Sequence, residues 1–231
     1  MFQFKQFTIH QDRTPMKVGT DGVLLGAWAD VRQAHRILDI GTGTGLIALM
    51  AAQRNQSAII DALEIEPEAF KQAQENIKAA PWFDRISIFE QALQSYTSNY
   101  QYDCILCNPP FFHKSTKAPD QGRTLARHND SLPLCDLLTH TVRLLHPQGI
   151  FCVILPTTEA QKLVKLGKDH KLFLQHITQV HPTPNKPPKR YLLQLGFQEK
   201  PLIEDHLILE FERHKYSPEY SRLTAPFYLN K

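Results

Sequence analysis

Two short segments of this chain carry residues suited to transferring a group onto nitrogen. Asn108-Pro109-Pro110-Phe111 closes an apolar run, Tyr102 to Cys107, and Asp39-Ile40-Gly41-Thr42-Gly43-Thr44-Gly45 lies upstream of it. An exocyclic amino nitrogen conjugated to a ring or carbonyl delocalises its lone pair, so it attacks poorly unless acceptors hold its N–H groups. The side-chain oxygen of Asn108 and the carbonyl of Pro109 are such acceptors. They sit on a turn that Pro109 and Pro110 stiffen without adding N–H donors of their own. The ring of Phe111 then offers a face on which a planar target stacks. Together the segments predict methyl transfer to a planar nitrogen, with Asn108, Pro109, Pro110 and Phe111 at the reacting centre.

The glycine turn predicts where the methyl donor lies. Small residues let the backbone bend sharply from a strand into a helix and leave room for a ligand against it. The spacing is Gly-x-Gly-x-Gly, distinct from the dinucleotide pattern Gly-x-Gly-x-x-Gly. Glu64 closes the next apolar run and is placed to accept hydrogen bonds from ribose hydroxyls. Glu66 is its rival, and an acid at either position is also what a helix dipole favours at its entry. Asp39, the glycines, Glu64 and the Asn-Pro-Pro turn in that order are more specific than any one of them.

These residues need a scaffold that brings distant turns together. Strand-like apolar runs alternate with helical patterns, which predicts an α/β fold with a doubly wound, mostly parallel sheet. The expected strands are Arg36 to Ile40, Ile59 to Leu63, Ile86 to Phe89, Tyr102 to Cys107 and Gly149 to Leu155. Helices are expected over Leu46 to Arg54, Pro67 to Ala79 and Leu134 to Leu145. Leu172 to Val180, Arg190 to Phe197 and Leu207 to Phe211 follow without a comparable crossover between the last two, which predicts an antiparallel edge. The proline-rich stretch His181 to Pro188 reads as a loop, not a domain linker. We expect one domain over 1–231, with 1–35 covering the cofactor and substrate and 200–231 as a C-terminal extension.

At 231 residues and 42% hydrophobic, the chain suits one such unit. Its formal charge of +3 argues little about nucleic acid, whereas the distribution of basic residues argues more. Lys114, Lys117, Arg123, Arg127 and His128 follow the Asn-Pro-Pro turn, and Lys186, Lys189 and Arg190 lie in the proline-rich stretch. Lys162, Lys165, Lys168 and Lys171 read instead as a solvated helical face. The start, Met1-Phe2-Gln3-Phe4-Lys5, shows no leader pattern, and no apolar run approaches the roughly 20 residues of a membrane span, so a cytoplasmic location is expected. Cys104 and Cys107 would point to opposite faces of a strand, which predicts small core residues and no metal site.

The motifs resemble those of class I S-adenosylmethionine-dependent methyltransferases, and within them the bacterial tRNA1(Val) adenine N6-methyltransferase family. The likeness extends over Met16 to Trp28, Gln74-Glu75-Asn76-Ile77, Arg127, Phe151 to Pro156, Tyr216-Ser217 and Phe227-Tyr228-Leu229. It implies S-adenosylmethionine held by Lys17, Thr20, Asp39, Gly41, Gly43, Gly45, Glu64, Gln91 and Asn108. It also implies a substrate, the adenosine immediately 3′ to the anticodon of a valine tRNA, gripped by Lys114, Lys117, Arg123, Arg127, Lys189 and Arg190. The chain departs from the family pattern in having Phe111 where tyrosine is common, and Gln91 and Ala92 where an acid is common. The Gln91 amide oxygen retains the ability to accept from an adenine amino group.

The same turn, with His113 close behind, also looks like that of ribosomal RNA guanine N2-methyltransferases and of release-factor glutamine N5-methyltransferases. Both usually carry an additional amino-terminal domain. A non-enzymatic RNA-maturation factor on the same sheet is opposed by the intact glycine turn, Glu64 and Asn108. Direct in-line transfer needs no general base, so Asp103, His113 and His128 are not expected to act as catalysts.

Overall fold

A computed structural model describes residues 1–14, 16–110, 132–212 and 214–229. The chain opens with β1 (Phe2–Gln3), β2 (Thr8–Ile9) and α1 (Thr20–Trp28). Alternating units follow: β3 (Arg36–Ile40), α2 (Leu46–Arg54), β4 (Ile59–Glu64), α3 (Pro67–Lys78), β5 (Ile86–Glu90) and β6 (Tyr102–Cys107). Then come α4 (Leu134–Leu144), β7 (Leu145–Pro156), α5 (Thr157–Asp169), β8 (Phe173–His181), β9 (Arg190–Gly196) and β10 (Ile203–Ile208). A small ribbon of β11 (Glu210–Glu212) and β12 (Lys215–Tyr216) leads into α6 (Pro218–Thr224). Strands β3 to β10 form one sheet in the order β10-β8-β9-β7-β6-β3-β4-β5.

The central strands are parallel and buried on both faces, which is why they read as unbroken apolar runs. One apolar layer, including Ile37, Ile60, Cys104 and Leu106, packs under α1 and α2. The other, including Leu38, Leu63, Ile105 and Cys107, packs under α4 and α5. Cys104 and Cys107 therefore fill opposite cores, as alternation along a strand requires. Helix α2 is buried from Leu46 to Gln53 because α1 lies over it. Gly26 permits that approach: a Cβ there would stand 2.7 Å from Met50 Sδ.

The mostly parallel α/β sheet agrees with the sequence reading, but the antiparallel strand is not at the edge. It is β9, which forms an antiparallel hairpin with β8 and inserts between β8 and β7. The chain then crosses back, and the edge strand β10 runs parallel to β8. That edge strand covers Ile203–Ile208, not Leu207 to Phe211. Its exposed Glu204, Asp205 and His206 mask the apolar pattern, as charged residues commonly do on an unpaired edge. Lys162, Lys165 and Lys168 do form an exposed face of α5, whereas Lys171 lies past its end at φ 57°.

The two ends of the chain close the same side of the molecule. The Lys5 N–H donates to the Phe227 carbonyl at 2.8 Å, and the Gln53 amide donates to the Pro226 carbonyl at 2.9 Å. The rings of Phe4 and Tyr228 stack with centroids 5.9 Å apart. Among the described residues no helix is long and apolar enough to cross a membrane.

Candidate active site

Chain order reverses at β3, which has β4 on one side and β6 on the other, and a crevice opens beyond the strand ends at such a point. Ile40 pairs with Cys107, so Gly41 and Asn108 leave the sheet side by side. The two motifs, far apart in sequence, thus share one rim.

Gly41, Gly43 and Gly45 have φ of 68°, 58° and 83°, a left-handed region that costs side-chain-bearing residues energy. A Cβ on Gly41 or Gly43 would meet nothing within 4 Å, so open space lies above the turn. Gly45 caps α2, and a Cβ there would rest 3.5 Å from Ile77 of α3. Beneath the turn, Asp39 Oδ2 accepts from the Thr42 hydroxyl at 2.6 Å and the Ala48 N–H at 3.1 Å. Its other oxygen, Oδ1, is buried with no hydrogen-bond partner among the described residues. Burial pushes the Asp39 carboxyl up to about 7; the Thr42 and Ala48 bonds oppose the rise, and the nearby Glu64 charge adds to it.

Glu64 faces the same turn. Its Oε2 accepts from the Gly43 N–H at 2.8 Å, and Oε1 accepts from the N–H groups of Ile65 and Glu66 at 2.8 and 2.9 Å. A carboxylate offers about four lone-pair sites, so these bonds fix its direction and leave capacity for a ligand hydroxyl. Glu66 serves the helix instead, because its Oε2 accepts from the Ala69 N–H at 2.6 Å and caps α3. On the neighbouring strand, the Gln91 N–H donates to the Glu64 carbonyl at 3.0 Å. The Gln91 side-chain amide donates to the Ser95 carbonyl at 2.9 Å, which leaves its oxygen as the acceptor to offer.

Two residues here were given no role by the sequence reading. Ile65 is 51% exposed immediately after Glu64, an apolar wall at the mouth of the crevice. Its signal was an isoleucine between two acids beyond the end of a strand. Asn76 on α3 is buried, and its Nδ2 donates to the Thr44 carbonyl and the His10 carbonyl, both at 2.9 Å. Its oxygen accepts the His10 N–H at 2.9 Å. One side chain thereby ties the amino-terminal segment to the glycine turn, and an Arg13–Glu75 ion pair adds a second tie to α3.

Asn108 is half-buried, Pro109 buried and Pro110 half-buried. A Cβ on Gly22 would stand 3.7 Å from Asn108 Nδ2, so α1 lies directly against the asparagine. Thr20 and Asp21 open that helix, and Lys17 is exposed in the stretch before it. Arg190 begins β9 on the same rim, opposite Pro156. Its Nε donates to Asp21 Oδ2 at 2.8 Å, while Lys189 beside it is exposed. Asp103 sits elsewhere: its Oδ2 accepts from the N–H groups of His35 and Arg36 at 2.8 and 2.9 Å and pins the start of β3. Phe111, His113, Lys114, Lys117, Arg123, Arg127 and His128 lie outside the described residues. Among the described residues no three metal-binding side chains converge.

Residues 18–132 match the profile of the Methyltransferase small domain family. The chain is 48% identical over 229 residues to the tRNA1(Val) (adenine(37)-N6)-methyltransferase of Phocaeicola vulgatus, covering 99% of this chain and 97% of that one. It is also 48% identical to the protein of that name in Flavobacterium johnsoniae, covering 99% of each. Among solved structures, a predicted O-methyltransferase from Agrobacterium tumefaciens superposes with a TM-score of 0.70 at 19% identity, over 90% of this chain and 96% of that one. That degree of identity speaks for the fold alone.

Proposed function

The chain belongs to the tRNA1(Val) (adenine(37)-N6)-methyltransferase family, and on that footing we propose that it methylates N6 of adenine 37 in a valine tRNA, using S-adenosylmethionine. The observation that carries the reading is the pairing of Ile40 with Cys107, which sets the glycine turn beside Asn108. A donor above the one and an amino group held by the other would meet across a single crevice.

The residues present fit the cofactor. Asp39 lies fully buried beneath the glycine turn, where its ionised carboxylate would favour the ammonium of the methionine end through its charge. Gly41 and Gly43 leave open space above their backbone. Glu64 retains acceptor capacity for the ribose, and Gln91 with Ile65 offers an acceptor and an apolar wall for adenine. We assign Lys17, Thr20 and Gly45 to the same site as the outer supports of the turn and α1.

When bound, the cofactor supplies an electrophilic methyl group and a neutral leaving group, so no acid is needed. The Asn108 oxygen and the Pro109 carbonyl accept the two N6–H bonds and turn the nitrogen lone pair out of conjugation. Pro110 holds the turn, and Phe111 stacks on the base. The proton passes to water, so no metal and no general base enter the scheme. The anticodon loop presents its bases already unpaired, which lowers the cost of reaching the nitrogen. Lys114, Lys117, Arg123, Arg127, Lys189 and Arg190 hold its phosphates, residues 1–35 cover the cofactor, and the reaction takes place in the cytoplasm.

Incubating the protein with total RNA from a strain that lacks it, followed by mass mapping, tests this directly. The expected result is one methyl group on adenine 37 of a valine tRNA. Methylation of a ribosomal guanine or a release-factor glutamine with no mark on tRNA would defeat the assignment.

A further inference from the structure

Along the rim from Asn108 lies a second concavity, whose apolar wall the chemistry above does not use. It is an open cleft of about 180 Å³ between the start of α1 and the turn joining β8 to β9. Val180, Pro182 and Leu209 form an apolar wall, while Asp21, Lys189 and Arg190 stand among the lining residues. The Arg190–Asp21 ion pair, 2.8 Å long, joins its two sides. The cleft shares the strand-end rim with Asn108, because Arg190 pairs with Pro156 at the end of β7 and Asp21 adjoins Gly22, which faces the Asn108 amide.

We propose that this cleft holds the base of one nucleotide next to the target adenosine. An apolar wall of this size takes one unstacked base and not a base pair, and Lys189 and Arg190 carry the positive charge that a phosphate beside that base requires. Asp21 brings an acceptor for a base N–H group and holds Arg190 in place at the mouth. A nucleotide strand is the occupant whose apolar faces and regularly spaced negative charges match both halves of the lining. Holding a neighbouring base would fix the register of the loop, so that adenine 37 and not another adenine reaches Asn108. This subsite rests on the tRNA reading above and adds to it the place where a flanking base is gripped.

The test is single-turnover methylation of an anticodon stem-loop in which each neighbour of the target is replaced in turn by an abasic nucleotide. The native protein should lose about tenfold in rate at one neighbouring position, the weight of burying one base face against an apolar wall. Leu209→Trp, which fills the cleft, should slow the intact stem-loop and remove the sensitivity at that position. Leu209→Ala, a milder change, should reduce the sensitivity in part. Cofactor affinity by calorimetry should stay as in the native protein for both variants. Rapid transfer with no abasic position mattering, or with a sensitivity that both variants retain, overturns the subsite while leaving the tRNA reading intact. A loss of cofactor affinity in folded Leu209→Ala would give the cleft to the cofactor instead. Absence of transfer to any tRNA stem-loop, with transfer to another class of substrate, would overturn the reading and the subsite together.

Discussion

On the β4 side of β3, the crevice is lined by backbone amides tied to buried acids, all within Asp39 to Glu66. On the β6 side it is lined by side chains drawn together from α1, the turn after β6 and the start of β9, with Asp21 meeting Arg190 across 169 positions of sequence. The first region is pre-organised, so a small ligand of constant shape would pay little to order it. The second presents charged side chains, Lys189 and Arg190 among them, which suits a polyanion. On the function proposed above, the contrast would divide the labour: one side would fix the methyl donor, the other would choose what receives it.

The sharpest separation of the two regions should come from Asn108→Ala. Methyl transfer is expected to fall by roughly 10²- to 10³-fold, as for removal of one pre-organised polar group at a reacting centre. Cofactor affinity, read by calorimetry, should change little. A parallel loss of affinity would break the division and place Asn108 in both regions.

Glu64→Ala should reverse that pattern. Cofactor binding is expected to weaken by roughly 1.5 to 3 kcal/mol, the range for hydrogen bonds to a charged group. Glu66→Ala should instead leave affinity intact and lower unfolding stability by about 1 kcal/mol, the usual worth of a helix cap. The opposite outcome would exchange the roles of the two acids.

The smallest effect on cofactor affinity is expected from pH. The folded carboxyl of Asp39 titrates near 7, above its ordinary value, so its neutral form is favoured in the ligand-free fold. Its contribution to folding stability is therefore fully present below the ordinary carboxylate pKa and lost as the pH rises through about 7. A cofactor ammonium held over the glycine turn would favour the ionised form through its charge. Cofactor affinity should thus rise roughly tenfold between about pH 6 and about pH 7.5, with proton release on binding visible in buffers of different ionisation enthalpy. Methylthioadenosine, which lacks the amino-acid end, should show no such rise. An equal rise for both ligands would remove Asp39 from the site.

The donor side was largely legible in the sequence because its signals are local. Strand β3 and helix α2 have the limits expected of them, since Gly41, Gly43 and Gly45 separate the two apolar runs. Asn76 was not legible: a polar residue on an amphipathic helix looks solvated until the segment it binds is placed against it. Strand β10 was missed for the converse reason, because an edge strand with one exposed row need not be apolar. The cleft at Arg190 was beyond reach, since it depends on β9 turning back between β7 and β8, and the sequence pattern placed that reversal at the edge.

The bonds from Lys5 to Phe227 and from Gln53 to Pro226 set an order in time as well as in space. A ribosome releases Phe2 and Phe4 long before Tyr228, so the aromatic cluster they share cannot form until every strand of the sheet has been made. Until then the opening hairpin lacks its partner, and with it one brace on the segment that Asn76 ties to the glycine turn. A nascent chain stalled before Pro226 would already possess every strand of the sheet while its amino-terminal segment remained only partly fastened. The folded domain would thus be distinguished from its precursors by a latch made only after the sheet is whole.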